Sequence, residues 1–193
     1  MVVMFMKDKN INKIIKNGGV GVIPTDTLYG LVASAFIESA VEKVYNLKNR
    51  NEKKSLIILI SSIEDLDKFG VKLTDKAKSF IQKYWPGKVS IVLSFENEKI
   101  SYLDRMEGTL AFRLPNDKSL IDLLKETGPL VAPSANTEGM PPAKNIEEAK
   151  KYFGEEIDFY FDGGEIDSLP STLVKIEGDN IKILRQGAVE IVL

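Results

Sequence analysis

The run Leu56-Ile-Ile-Leu-Ile60 constrains this chain more than any other stretch. Its five consecutive apolar residues are too few for a core helix, and a strand that is apolar at every position must be covered on both faces. A central buried strand of this kind calls for helices on either side, and the flanking sequence has them. Upstream, Ile11, Ile14 and Ile15 have helical spacing behind Asp8 as a cap, Asn17-Gly18-Gly19 ends that helix, and Val20-Gly21-Val22-Ile23 reads as a short buried strand. After the small apolar run Val32–Phe36, Val41, Val44 and Tyr45 share one face of a helix over 39–47.

Downstream, Ser62 and Asp65 have capping-box spacing, Thr74-Asp75 opens a helix that runs to Tyr84, and Trp85-Pro86-Gly87 breaks it. Strands are expected at 89–95, 110–113 and 130–133, with helices over 117–127 and, capped by Asn145, over 145–153. Further strands at 159–161, 172–176 and 181–184 follow, the last two forming a hairpin through Gly178-Asp179-Asn180. Helices and strands alternate without a repeat or a low-complexity linker. The pattern predicts an α/β fold, a single domain over residues 1–193, whose sheet is mixed parallel/antiparallel because the final hairpin must be antiparallel.

Composition narrows the chemistry. The chain has no cysteine and no histidine, which excludes disulfides, thiolate zinc sites and the commonest general base. A net charge of -2 means that attraction to nucleic acid has to come from a local basic patch. The opening Met1-Val-Val-Met-Phe-Met6 lacks a basic leader, and no run approaches the ~18 apolar residues of a membrane span. The expectation is a soluble cytoplasmic protein without membrane association.

Polar residues gather at the ends of these elements. Thr25-Asp26-Thr27 and Tyr29 follow the first strand, where α/β proteins usually place ligands, though the same residues fit a turn that caps its own amides; Asp26 reads as such a cap or as a magnesium ligand. Lys48, Arg50, Lys53 and Lys54 suit a polyphosphate, and equally the carbonyl end of a helix. In Ala111-Phe112-Arg113-Leu114-Pro115 a cation sits inside an apolar strand; burying it unpaired is expensive, so an anion must face Arg113. Ser134 and Asn136 cap the strand at 130–133, and Ser171-Thr172 and Arg185-Gln186-Gly187 complete the set. Neither the P-loop nor the dinucleotide glycine pattern is present, so a nucleotide would have to be held another way.

Seven pieces in order, Pro24-Thr-Asp-Thr-Leu-Tyr-Gly-Leu31, Lys48-x-Arg50, Trp85-Pro-Gly-Lys88, Phe112-Arg-Leu-Pro115, Ala132-Pro-Ser-Ala-Asn136, Ser171-Thr172 and Leu184-Arg-Gln-Gly187, together resemble the YrdC-like threonylcarbamoyl-AMP synthase family over nearly the whole chain, in its short single-domain form. The resemblance implies a twisted mixed sheet flanked by helices around a large basic cavity. It implies a nucleotidyltransferase that makes threonylcarbamoyl-AMP and pyrophosphate from L-threonine, bicarbonate and ATP, for tRNA threonylcarbamoyladenosine. Carried over by position, Thr27, Ala132 and Ser171 contact threonine and Arg113 pairs with its carboxylate. Arg50, Lys54, Thr109, Ser134, Asn136 and Arg185 hold ATP, Lys48 and Arg50 form the catalytic pair, and Lys48 and Asn136 reach phosphate or carbamate. Magnesium comes with ATP, and no protein ligand to a metal is assigned. A contact with tRNA and a downstream threonylcarbamoyl transferase complex are the implied macromolecular partners. Asn51, Ser55, Leu59 and Pro142 depart from the family pattern, which bears on the threonine wall at Leu59 and on an ATP contact at Pro142.

Two other functions compete with this reading. An RNA- or tRNA-binding module of the same fold would use the basic residues without forming an adenylate. Carbamoyl-adenylate chemistry like that of hydrogenase maturation proteins ranks last, because zinc-finger modules accompany it there and this chain has no cysteine.

Overall fold

The computed structural model describes residues 9–51, 54–104 and 108–191. The proposed cap Asp8 and the cluster member Lys53 lie outside the described residues. In chain order the elements are α1 (Lys9–Lys16), β1 (Gly21–Pro24), β2 (Tyr29–Ser34), α2 (Glu38–Lys48), β3 (Ile57–Leu59), α3 (Asp75–Tyr84), β4 (Val89–Ser94), β5 (Thr109–Arg113), α4 (Lys118–Thr127), β6 (Leu130–Val131), α5 (Ile146–Phe153), β7 (Phe159–Tyr160), β8 (Thr172–Glu177) and β9 (Asn180–Arg185). Two 3₁₀ turns, Ile63–Phe69 and Glu98–Leu103, complete the list of regular segments.

All the strands among the described residues join one nine-stranded sheet in the order β7-β1-β2-β6-β3-β5-β4-β8-β9, which puts β3, from the Leu56–Ile60 run, in the middle. β1 and β7, β3 and β5, and β4 and β8 run parallel; the other neighbours are antiparallel. The mixed α/β architecture is as expected. Helix starts follow local chemistry: Thr74, Asp117 and Asn145 each accept a hydrogen bond from an amide of the first turn. The capping box of Ser62 and Asp65 forms as its spacing predicts, on a 3₁₀ turn that Gly70 closes at φ 71°.

Two segments differ from the sequence expectation. Pro24–Leu31 is the bend of an antiparallel hairpin, with Pro24 opposite Tyr29, and Val32–Ser34, which the sequence left as a small apolar run, continue β2. The strand expected over 130–133 is regular only over Leu130–Val131: the Ala132 amide still bonds the Ile57 carbonyl in the β3 register, but Pro133 has no N–H to carry the ladder on.

The faces of the sheet are filled unequally. On one, α2, α3 and α5 press Val41, Val44, Ile81, Ile146 and Phe153 onto Ile58, Ile91, Leu110, Phe112 and Val174 in the main core. On the other, α1 and α4 cover only one end, where Ile11, Ile15, Leu120, Leu123 and Leu124 meet Ile23, Val32, Leu59 and Leu130. Among the described residues no helix is long and apolar enough to cross a membrane.

This division gives unequal mutational costs. Phe153→Ala, in the main core at 1% exposure, is expected to cost about 3–5 kcal/mol in urea unfolding. Leu169→Ala, 63% exposed, should stay within about 0.5 kcal/mol. Equal losses would contradict the assignment of the core.

Candidate active site

Strand alternation aims the functional side chains. In β5, Leu110 and Phe112 enter the main core, so Thr109, Ala111 and Arg113 project from the opposite, half-covered face. Beyond the reach of α1 and α4 that face is the floor of two adjoining hollows. The smaller is walled by the 25–30 hairpin, Arg113, Ala132, Ser134 and Ser171. The larger lies over β4, β5, β8 and β9 and is lined by Arg50, Lys54, Thr109, Lys175 and Lys182. Ile57 and Arg185 line both, so the hollows share a seam. Cations concentrate in the larger compartment, where Glu177 is the carboxylate in the lining.

The smaller pocket is built on the β1–β2 hairpin. Thr25 Oγ1 donates to the Leu28 carbonyl at 2.7 Å and accepts from the amides of Thr27 and Leu28, which fixes the loop and turns Thr27 inward. Tyr29 Oη donates to the Gly164 carbonyl at 2.7 Å and accepts from the Gly163 amide at 2.8 Å, tethering the 162–164 segment, and burial pushes its phenol pKa up. Ser171 Oγ lies 2.8 Å from Ser90 Oγ, both buried. The anion that sequence reasoning demanded for Arg113 is internal: Nη2 sits 3.1 Å from Asp26 Oδ1, with side chains 4% and 5% exposed. Neither Asp26 oxygen accepts a backbone amide, so of its two readings the amide cap is not what forms.

Cations of the larger hollow are partly engaged. Arg50 donates from Nε to the Lys54 carbonyl and from Nη2 to the Ser55 carbonyl, at 3.1 and 3.0 Å. Lys54 pairs with Glu138, whose other oxygen accepts from the Asn51 amide at 2.6 Å; these bonds hold the Glu138 carboxyl below its usual range. Arg185 Nη2 donates to the Ser171 carbonyl at 2.9 Å and so links β9 to the smaller pocket. Gly187 follows it because a Cβ there would come within 2.3 Å of the Pro170 carbonyl oxygen.

Sequence reasoning missed Glu138, Lys175 and Lys182. The two lysines lie directly opposite in the β8–β9 ladder, where like charges are unfavourable; only cross-strand register, which spacing does not reveal, could have found them. Glu138 could have been suspected as a carboxylate close after Asn136.

Lys48 and Asn136 line neither hollow. Lys48, at 1% exposure, donates from Nζ to the carbonyls of Ser134 and Asn136 at 2.5 and 2.6 Å and to Asn136 Oδ1 at 3.3 Å. Asn136 Oδ1 accepts from Ser134 Oγ at 2.6 Å while Nδ2 donates to the Thr137 and Met140 carbonyls. Both residues work from behind the wall, holding the loop that presents Ser134. Ser134 itself, expected on ATP, lines the smaller pocket beside the residues expected on threonine. The two departures also fall elsewhere: Leu59 packs under α4, and Pro142 is exposed in a separate groove with Tyr152.

The family model Sua5/YciO/YrdC, described as telomere recombination, matches residues 13–187. A Mycobacterium tuberculosis protein named "Putative threonylcarbamoyl-AMP synthase" is 34% identical over 176 residues, covering 91% of this chain and 81% of that one. The Bacillus subtilis threonylcarbamoyl-AMP synthase is 30% identical over 181 residues, 91% of this chain and 52% of its own. P. abyssi Sua5 complexed with L-threonine superposes with a TM-score of 0.86 at 29% identity, over 92% of this chain and 53% of that one. The chain therefore spans about half the length of the last two.

Burial draws the Lys48 pKa from 10.5 to about 7, Arg50 pushes the same way, and Glu138 opposes. Between those values the unfolded chain holds a proton that the folded chain has shed, so stability should rise with pH across the window. With no histidine or cysteine, few other side chains titrate below about pH 9, whereas tyrosines and the other lysines do above it. Urea unfolding from about pH 7 to about pH 9 is expected to show that slope, and Lys48→Met should flatten it; a slope that survives the substitution contradicts the account.

Proposed function

This chain belongs to the Sua5/YciO/YrdC family, and on that premise we propose that it is an L-threonylcarbamoyladenylate synthase, a nucleotidyltransferase making threonylcarbamoyl-AMP and pyrophosphate from L-threonine, bicarbonate and ATP. The observation that carries the reading is the pair of hollows meeting at Arg185 and Ile57. One holds a buried guanidinium beside hydroxyls, as an amino acid's carboxylate and side chain require. The other is wider and rich in cations, as a nucleoside triphosphate requires.

Every residue the resemblance assigns to threonine, Thr27, Arg113, Ala132 and Ser171, lines the smaller pocket. Arg50, Lys54, Thr109 and Arg185, assigned to ATP, line the larger. The chemistry suits a site without cysteine or histidine. The threonine amine and bicarbonate combine to a carbamate with loss of water. A carbamate oxygen then forms a bond to the α-phosphorus as the bond to the pyrophosphate leaving group breaks. No protein nucleophile is needed; the protein has to align the reactants and neutralise charge. In this reading Arg113, Thr27 and Ser171 orient the amino acid, and Arg185 stands at the seam where carbamate and α-phosphate meet. Arg50, Lys54, Lys175 and Lys182 offset the phosphates. Magnesium enters with ATP, bound by the phosphates, since the described residues offer no acidic cluster to hold it. The adenylate would serve tRNA modification through a downstream transferase in the cytoplasm. An RNA-gripping module without this activity is not favoured, because all four residues assigned to threonine share one hollow and four of the six assigned to ATP line the other.

Purified protein is expected to release pyrophosphate from ATP and magnesium only when both L-threonine and bicarbonate are present; no release with the full mixture rejects the reading. Arg113→Ala should raise the KM for threonine about tenfold or more with little change for ATP. Lys54→Ala should raise the KM for ATP instead, and an equal effect of either substitution on both substrates would undo the division of roles.

A further inference from the structure

The Arg113–Asp26 pair is built differently from a structural ion pair. Burying two charges costs several kcal/mol each, and a pair kept for stability normally recovers this through parallel, well-directed hydrogen bonds. Here the 3.1 Å contact is made through one nitrogen. Neither Asp26 oxygen has a well-directed hydrogen-bond partner, and Arg113 Nε has none either. Nη2 of Arg113 also reaches Thr25 Oγ1 at 3.4 Å, at the edge of the hydrogen-bond range. Arg113, Thr25 and Thr27 line the smaller pocket, while the Asp26 carboxylate sits behind Arg113.

A bare guanidinium at the base of this pocket would attract any anion, including the phosphates that have their own compartment across the seam. Asp26 cancels that charge. Arg185, the other cation in the lining, stands at the seam and repels Arg113 more weakly than Asp26 attracts it. A carboxylate that docks on Arg113 therefore leaves an unbalanced negative charge in a buried place unless the ligand brings its own cation a few atoms away, as an α-amino acid does.

We propose that Asp26 is a positioning and selectivity residue that, by neutralising and holding Arg113, makes the smaller pocket prefer a net-neutral zwitterionic amino acid over anionic or cationic analogues. This rests on the amino-acid reading of the pocket above. It assigns Asp26 a role through Arg113 and no contact with the reacting atoms.

Calorimetric titration with three ligands tests it: L-threonine, its des-amino analogue 2,3-dihydroxybutyrate, and L-threoninol, which lacks the carboxylate. The unaltered protein should bind L-threonine tightest. Asp26→Asn should shift the preference toward 2,3-dihydroxybutyrate by about tenfold or more, the coupling typical of charges a few ångströms apart. Arg113→Gln leaves Asp26 alone and should shift it toward L-threoninol, and Asp26→Glu, which keeps the charge, should retain the original order. Loss of all three ligands in parallel would mean a merely structural role and overturn the proposal. If one variant does not fold, the opposite shift in the other decides. Failure of the unaltered protein to bind L-threonine would reject the amino-acid reading, and the proposal with it, whereas threonine binding with parallel losses in the variants rejects the proposal alone.

Discussion

A sheet nine strands wide presents two faces that must be covered, and the five described helices are distributed unevenly between them. Three close over the main core; α1 and α4 cover one end of the opposite face and leave the rest to polar side chains. Alternation along each strand then settles which residues meet the opening. Leu110 and Phe112 are committed to the core, so Thr109 and Arg113 have to face outward. The site is the uncovered part of the sheet, and its chemistry is whatever the outward residues of β3, β4, β5, β8 and β9 bring to it.

Basic side chains organise that opening. Lys48 ends α2 with its amino group in a ring of loop oxygens, which ties the Ser134 loop to the helix. Arg50 spends two donors on the carbonyls of residues 54 and 55. Arg113 leans on Asp26. Each cation is costly to bury and is kept where it fixes backbone that faces a hollow, so charge here serves geometry as much as it serves ligands. The positions that look like phosphate contacts in the motif Lys48-x-Arg50 thus divide into a strut behind the wall and a residue at its surface.

Local rules carried far. The central strand, the caps at Thr74, Asp117 and Asn145, and the final hairpin all follow from patterns within a few residues, because capping and strand burial are local or nearly local effects. Pro24–Leu31 was harder: a hairpin bend and a strand-end loop share the same Thr-Asp-Thr chemistry, and which of them forms depends on whether β2 turns back onto β1. The requirement that an anion face Arg113 was also legible, since the cost of an unpaired buried cation holds in any fold. That the anion is Asp26 was not, because the two residues are far apart in the chain and meet only when the bend of the hairpin reaches the end of β5 across two intervening strands.

The sequence by itself determined the α/β class, the order of the elements and the set of polar residues without which the strands would be wholly apolar. Tertiary structure alone decided how that set is divided: Thr27, Arg113, Ala132, Ser134 and Ser171 in one hollow, Arg50, Lys54, Thr109, Lys175 and Lys182 in the other, Arg185 at the seam, and Lys48 and Asn136 behind the wall. The physical reason is that strand order and register, fixed by long-range pairing, choose which neighbours each side chain meets, and no spacing along the chain encodes that.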